Sequence, residues 1–355
     1  MLLWDKIIDQ TDAVNTLLKI VKNNNKYMPQ SWLITGPPGS GRTTLAKAFA
    51  AALECGKNDC GENETNCPTC QAIINNTYSD VNFMSTQKPE YSVADIRQIL
   101  LESETYPVSS PYKIFIIEDV DRMSDQAANL FLKKLEEPDD FIIWILCTTN
   151  PRDVLVTIRS RCSKIELKSP SSQAIADYLI KEYRVSKTLA MTAARVAGNH
   201  IGLAKRYALN PQLLEARSQI LRQVINITNF PDAVFLADAV EKKAVDAGKI
   251  AVLELDIASA DKKRQATRIK KDELDLLLIA LLTLYRDIFV AKTALTDNLI
   301  NYNLQQSINQ AADEIALPRL LWCINQINIA RRRIKTNAQT LLILENLFGC
   351  LNRRL

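Results

Sequence analysis

The chain has 355 residues, 47% of them hydrophobic and 24% charged, with a formal net charge of +4. That length allows two or three domains with cores of their own, and the composition excludes a disordered or low-complexity chain. So small a positive charge permits contact with nucleic acid without arguing for it.

Asp5 and Lys6 interrupt the N-terminal stretch where a signal peptide needs an unbroken apolar core. The longest apolar run, 274–285, is too short to span a bilayer and contains Asp275. A cytoplasmic protein with no membrane contact is therefore expected. Its single histidine, His200, makes a histidine-centred nucleophilic triad a poor reading and is expected at a loop or helix end.

Along the chain, "SWLITG" (31–36) is an apolar strand running into the glycine-rich "GPPGSGRTT" (36–44), and "TTLAKAFAAALE" (43–54) is a helix rich in Ala and Leu. "VNFMS" (81–85) reads as a second strand. "SVADIRQILLES" (92–103) opens with Ser92 and Asp95 at capping-box spacing before a helical pattern. "KIFIIED" (113–119), "FIIWILCTTN" (141–150) and "SKIEL" (163–167) are short buried strands, and the helix at 124–137 is stopped by Pro138. Strands alternating with helices imply a parallel sheet covered on both faces. From about 169 the strands cease and three short helices follow. "NPQ" (210–212) then punctuates the chain ahead of a wholly helical remainder. The expected division is an α/β P-loop domain at 1–168, a three-helix lid at 169–211, and a helical domain at 212–355.

Three of the chain's nine glycines, Gly36, Gly39 and Gly41, fall within six residues between a strand and a helix, the context that makes a phosphate-binding loop credible. Backbone N–H groups and the following helix N-terminus form an anion cradle. Gly36, Pro37, Pro38, Gly39, Ser40, Gly41, Arg42, Thr43 and Thr44 are its candidate residues, with the Thr43 hydroxyl placed for Mg²⁺. The motif asks for lysine where this chain has Arg42. A guanidinium is broader and fork-shaped, so the charge is kept and the geometry is not. A second departure follows the strand at 113–117. A hydrolysing site carries Asp then Glu, for the metal shell and the attacking water, whereas here Glu118 precedes Asp119. One carboxylate is a methylene too long and the other too short, and a misplacement on the order of 1 Å can cost about a hundredfold in rate. A solvated pair of loop acids is the plainer alternative.

Together "GPPGSGRTT", "KIFIIEDVDRM", "NLFLKKLEEP", "ILCTTNPRDVLVTIRSRC" and "NAQTLLILENL" resemble the bacterial DNA polymerase III clamp-loader AAA+ subunits. The Arg-containing loop, the Glu-Asp order and "KKRQATRIKKDELDLLLIALLTLYRDIF" (262–289) are similar to the delta-prime branch of that family, in its actinobacterial form. The resemblance covers essentially the whole chain. It implies an AAA+ fold, with the helical C-terminal region serving as an oligomerising collar. It also implies a hetero-pentamer with gamma/tau and delta subunits that opens a sliding clamp and places it on primed DNA.

In such assemblies one subunit holds ATP and its neighbour supplies an arginine. The resemblance places that finger at Arg161 in Ser160-Arg161-Cys162, and a sensor at Thr149. A guanidinium delivered in trans is worth roughly 10³–10⁵ in rate; a local ion pair for Arg161 is the alternative. The lid arginine of catalytic members has no counterpart, since the corresponding position counted from Gly198 is Ile201, with Lys205 and Arg206 a turn further on.

Four of the eight cysteines, Cys55, Cys60, Cys67 and Cys70, fall in one short stretch. In a cytosolic chain that clustering points to a closed structural zinc site rather than disulfides, with Cys67-x-x-Cys70 its strongest element. The resemblance implies a zinc module at this place, but its fourth ligand position matches Glu64. Cys60 or Glu64 completes the site; four free thiols without metal is the other reading. Cys147, Cys162, Cys323 and Cys350 read as core residues. The basic run at 262–271 is a solvated face or a contact for DNA or an acidic partner.

The leading expectation is a non-hydrolysing subunit that braces a clamp loader and donates Arg161, its loop retaining at most weak ATP or ADP affinity with Mg²⁺. A hydrolysing gamma/tau-type ATPase is the alternative, and a freestanding nucleic-acid-binding ATPase a third. Membership of the holoenzyme would bring a DNA-directed polymerase label, yet no polymerase carboxylate constellation is visible.

Overall fold

The computed structural model describes residues 3–22, 28–55, 67–86, 90–253, 259–293, 299–334, 336 and 338–352. The chain divides into two compact units, the first ending at Leu209 and the second beginning at Asn210.

The first unit is built on five parallel strands: β1 (Ser31–Thr35), β2 (Val81–Met84), β3 (Lys113–Ile117), β4 (Ile142–Thr148) and β5 (Ser163–Glu166), in the order β2-β3-β4-β1-β5. The register pairs Thr35 with Thr148 and Ile117 with Leu146, so β1, β3 and β4 end together at one edge. Around the sheet lie α1 (Thr11–Lys22), α2 (Arg42–Glu54), α3 (Pro68–Ile74), α4 (Val93–Ser103), α5 (Asp125–Glu136) and the short α6 (Val156–Arg159).

Side chains alternate across a strand, so the apolar runs of β1, β3 and β4 feed two separate cores. On one face Trp32, Ile34, Ile114, Ile116 and Ile145 pack with Leu45 and Phe49 of α2. On the other, Leu33, Phe115, Ile117 and Trp144 pack with Ile96 of α4 and Phe131 of α5. Trp144 stacks on Phe115 at 4.8 Å and meets Phe131 edge-on at the same distance. The capping box expected at the start of α4 is present: Ser92 Oγ accepts from the Asp95 N–H, and the Asp95 carboxylate accepts from the Ser92 N–H at 2.9 Å.

Three helices close this unit: α7 (Ser172–Tyr183), α8 (Lys187–Val196) and α9 (Ile201–Leu209). The helix α1 is one the sequence reading leaves out; its buried stripe consists of Ala13 and Leu17 alone, a thin periodic signal.

The second unit contains only helices among its described residues: α10 (Pro211–Ile225), α11 (Phe230–Leu253), α12 (Ser259–Lys292), α13 (Gln305–Glu314), α14 (Leu317–Ile334) and α15 (Thr340–Cys350). The 34-residue α12 runs through its core, burying Leu274, Leu278, Leu281, Leu284 and Ile288. The fully buried Asp287 of α12 accepts hydrogen bonds from the Asn301 backbone N–H and side-chain amide at 2.7 and 2.8 Å. Arg217 of α10 donates to Asn301 and to Thr283 of α12 at 2.7 and 2.9 Å, tying the network together. A buried polar network of this kind is stable only when its members are satisfied in this way. No described helix is long and apolar enough to cross a membrane.

Candidate functional site: the loop edge, the outer arginine and the thiol cluster

At the carboxyl edge of the sheet the Gly-rich loop leaves β1 and enters α2. Its first residue is tied to the neighbouring strand by the Gly36 N–H donating to Thr148 O at 3.3 Å. A tight turn follows, with the Ser40 N–H donating to Pro37 O at 3.2 Å. Gly39 and Gly41 adopt φ of +76° and +94°, the left-handed region that side chains rarely enter. Arg42, Thr43 and Thr44 begin α2, so the helix N-terminus and the curled backbone amides lie where an anion cradle requires them.

Two side chains expected at the phosphates turn elsewhere. The Arg42 guanidinium folds back on its own loop, donating to the carbonyl oxygens of Gly36 and, at 2.8 Å, of Pro37. The Thr43 hydroxyl donates to the Glu118 carboxylate. Glu118 follows β3, and its backbone carbonyl accepts from the buried Tyr91 hydroxyl at 2.7 Å. Asp119 sits at φ +48°, an outlier for a non-glycine residue, and lies 3.5 Å from Arg122. Lys47, one turn into α2, donates to Ile74 O at 3.0 Å; burial pulls its ammonium below the ordinary lysine range, with Glu118 acting in the opposite direction. Beneath the loop, burial pushes the Cys147 thiol up to about 12, leaving an inert core residue.

Thr149 is half-buried at the end of β4. Its neighbour Thr148 is fully buried and donates to Asp121 at 2.5 Å, a pairing across 27 residues that no local pattern announces. His200, expected only as a helix end, lies directly on the loop. Its Nδ1 accepts from the Leu203 N–H at 3.1 Å, capping α9, and the adjoining Ile201 N–H donates to Gly39 O at 3.2 Å. That hydrogen bond leaves the imidazole proton on Nε2, and burial together with the nearby Arg42 charge lowers the His200 pKa, so the ring is neutral at pH 7.

A Cβ added at Gly39 would lie 2.3 Å from the His200 ring, whereas one added at Gly41 meets nothing within 4 Å. Gly39→Ala is thus expected to lose about 2–4 kcal/mol, combining left-handed strain with the clash, and Gly41→Ala only about 1–2 kcal/mol from strain. Urea denaturation of both variants measures this. Adding His200→Ala should recover part of the Gly39→Ala loss; no recovery would show that the ring contact is not the cause.

Arg161 lies just past α6. Its side chain is about a third exposed, and it donates to Thr157 O at 2.9 Å and to the Glu136 carboxylate at the end of α5. The local ion pair considered from sequence is therefore present in the isolated chain, on a face open to solvent. Ser160 caps α6 and donates to Thr157 O at 3.0 Å, while Cys162 is buried with its thiol pushed up to about 12 by desolvation.

Of the metal candidates, Cys55, Cys67 and Cys70 come together, their sulfur atoms all within 4.8 Å of one another and Cys55 and Cys67 3.4 Å apart. Cys55 ends α2, Cys67 caps α3, and Cys70 lies one turn into α3, so two helix ends present three thiols to one point. Tetrahedral zinc with bonds of about 2.3 Å needs sulfurs separated by roughly 3.8 Å, which three soft ligands at this spacing fit. Cys60 and Glu64 lie outside the described residues. Beside the cluster, Glu54 is buried with neither carboxylate oxygen hydrogen-bonded, a position the sequence did not flag; burial lifts its carboxyl to about 7, with the Asp80 charge acting in the same direction.

Residues 9–171 match the family model described as "DNA polymerase III, delta subunit". The DNA polymerase III subunit tau of Bacillus subtilis is 27% identical over 94% of this chain, and the subunit delta' of the same organism is 26% identical over 93%. The chain spans 94% of that delta' protein but only 58% of tau, and 61% of a Buchnera aphidicola gamma subunit that is 30% identical over 60% of the chain. Among solved structures, a gamma subunit-related protein from Thermotoga maritima superposes with a TM-score of 0.51 at 18% identity, covering 98% of this chain and 99% of that one. The five-stranded parallel α/β fold with its glycine-rich loop, followed by a helical C-terminal region, is the fold this chain shares with that structure.

Proposed function

We propose, from the match of residues 9–171 to the family model described as "DNA polymerase III, delta subunit" and the likeness to a delta' subunit along 93% of the chain, that this protein is a delta-prime-type subunit of the clamp loader, one that braces the assembly without hydrolysing ATP. Its partners in this reading are gamma/tau and delta subunits in a hetero-pentamer, and through them the sliding clamp and primed DNA. Arg161 is the group it lends to a neighbour's nucleotide. The second unit forms the collar, and Cys55, Cys67 and Cys70 hold a structural zinc ion whose fourth ligand is Cys60 or Glu64.

One observation carries the non-hydrolysing role: both groups a working loop would turn to Mg·ATP are engaged within the protein. The Arg42 guanidinium is bonded to Gly36 O and Pro37 O, and the Thr43 hydroxyl to Glu118. To meet phosphate, Arg42 must break two charge-assisted hydrogen bonds, and a metal at Thr43 must displace a carboxylate that is one methylene longer than the usual aspartate. The cradle of backbone amides is unaffected, so weak nucleotide binding without turnover is the consistent outcome.

The competing reading, a hydrolysing gamma/tau-type subunit, is favoured by the match to tau along 94% of the chain. Single-turnover hydrolysis of radiolabelled ATP by the purified chain separates the two. No phosphate release above that of a Thr43→Ala variant is expected. Turnover that Thr43→Ala abolishes would establish the competing reading instead.

A further inference from the structure

The second unit carries a positively charged end that neither the loop nor the outer arginine requires. Six of the ten residues from 262 to 271 are Lys or Arg and none is acidic; α14 likewise contains four arginines and no carboxylate. Cations in the last turn of α14 complement the helix dipole, which makes Arg331, Arg332 and Arg333 unsurprising by themselves. Those of α12 crowd its N-terminal third, near the end where the dipole opposes positive charge.

The fold brings both groups together. Lys271 Nζ donates to Thr336 O at 2.8 Å, just beyond α14, and Asp275, one turn further along α12, holds Arg331 through two hydrogen bonds of 2.7 and 3.1 Å. Some of the charge is neutralised here, by Asp275 on Arg331, Glu241 on Lys270 at 2.6 Å and Asp272 on Arg268 at 3.7 Å. Lys263, Lys271, Arg332 and Arg333 have no carboxylate partner among the described residues, and Lys263, Arg332 and Arg333 are exposed.

Beside them opens a cleft of about 440 Å³ lined by Asn325, Asn328, Arg331 and Arg332. The bidentate grip of Asp275 uses Nε and Nη2 of Arg331, so its Nη1 amino group remains free to donate from a fixed position. Guanidinium and amide donors, with no carboxylate and no apolar side chain among the described lining residues, are the set that meets phosphate oxygens and base edges. A protein partner would normally seat aromatic or aliphatic anchors at such a centre.

We infer that the end of the second unit formed by the last turns of α14 and the first third of α12 is a nucleic-acid-binding surface, with Arg332, Arg333, Lys263 and Lys271 on the phosphate backbone and the Asn325–Asn328–Arg331 cleft against sugar or base. It is a direct DNA contact made by this chain itself, independent of the clamp-loader reading and of any nucleotide in the loop.

The test is fluorescence anisotropy of the full chain with a labelled 30-nucleotide single strand and the matching duplex, at several salt concentrations. Binding should weaken steeply with salt, and Arg332→Glu should raise Kd about tenfold and flatten the log–log salt slope by about one. Lys187→Glu, an exposed charge reversal on α8 in the other unit, should do much less. Circular dichroism confirms that both variants fold. The inference is overturned if Arg332→Glu has no larger effect than Lys187→Glu. It is equally overturned if polyglutamate of matched charge displaces the DNA as well as unlabelled DNA does, which would assign the surface to an acidic protein. Either failure leaves the ATP hydrolysis assay, which reads different residues, untouched.

Discussion

Under the proposed role, replacing Arg161 with alanine is expected to lower the DNA-stimulated ATPase of a reconstituted clamp loader about 10³-fold or more at the neighbouring nucleotide site. The isolated chain should show no change in stability beyond about 0.5 kcal/mol, since the residue is exposed and its bond to Glu136 is a surface pair. The size of the catalytic effect follows from where the charge acts. A guanidinium brought to a transferring phosphoryl group works in a site from which water is excluded, whereas the same group against Glu136 is screened. A thousandfold corresponds to about 4 kcal/mol of transition-state stabilisation. Arg161→Lys should recover only a small part, because a compact ammonium cannot reproduce the planar fork. Phosphate release read alongside size-exclusion chromatography separates loss of catalysis from loss of assembly; an intact complex with unchanged turnover would rule out the donated arginine. Glu136→Gln is informative in the opposite direction, since it frees Arg161 without removing it, and turnover at or above the wild-type rate is the expected result.

The second large effect concerns the thiol cluster. Metal analysis of protein purified without chelator should find one zinc per chain, and Cys67→Ser with Cys70→Ser should abolish it. Structural zinc contributes on the order of 10 kcal/mol to the folding of small modules that lack other support. Here Cys55 also ends a helix well packed against the sheet, so a smaller loss of about 3–5 kcal/mol is expected, corresponding to roughly 6–20 °C in Tm. Cys147→Ser serves as the control: it replaces a buried thiol remote from the cluster and should leave the metal content unchanged. Comparing Cys60→Ser with Glu64→Gln identifies the fourth ligand, because only the true one lowers zinc affinity. A protein with less than about a tenth of a zinc per chain, and a Tm indifferent to chelator, would return the cysteines to free thiols.

Much of the fold was legible because its signals are local. The apolar runs at β1, β3 and β4, the glycines at the turn, and the Ser92–Asp95 box each declare an element within a dozen residues. Cys67 and Cys70 are likewise brought together by one helical turn. The site was less legible, for reasons of distance and of rotamer. His200 meets Gly39 across 161 residues, and Thr148 meets Asp121 across 27; neither pairing has a periodic trace. Arg42 could be recognised as the wrong cation for the loop, yet its identity does not disclose that it turns toward Gly36 and Pro37. Arg161 showed a similar limit: the tripeptide marked the residue, while its carboxylate partner Glu136 lies on another helix. The basic stretch of α12 was visible as a run of letters, but not that the end of α14 meets its last residue, Lys271, through Thr336.

The long α12 imposes a counting rule on the gene that encodes it. At about 1.5 Å per residue the helix extends roughly 50 Å, and each residue turns the next by 100°. Leu278, Leu281, Leu284 and Ile288 face the core together with the carboxylate of Asp287, so a single inserted or deleted codon upstream of Leu278 would swing that stripe toward solvent and pull the carboxylate away from Asn301. A change of seven codons, two turns short by only about 20°, is among the smallest that would leave the stripe nearly aligned. Length variation in this part of the molecule is thus confined to steps set by helical pitch, while the connections between helices remain free to grow or shrink one residue at a time.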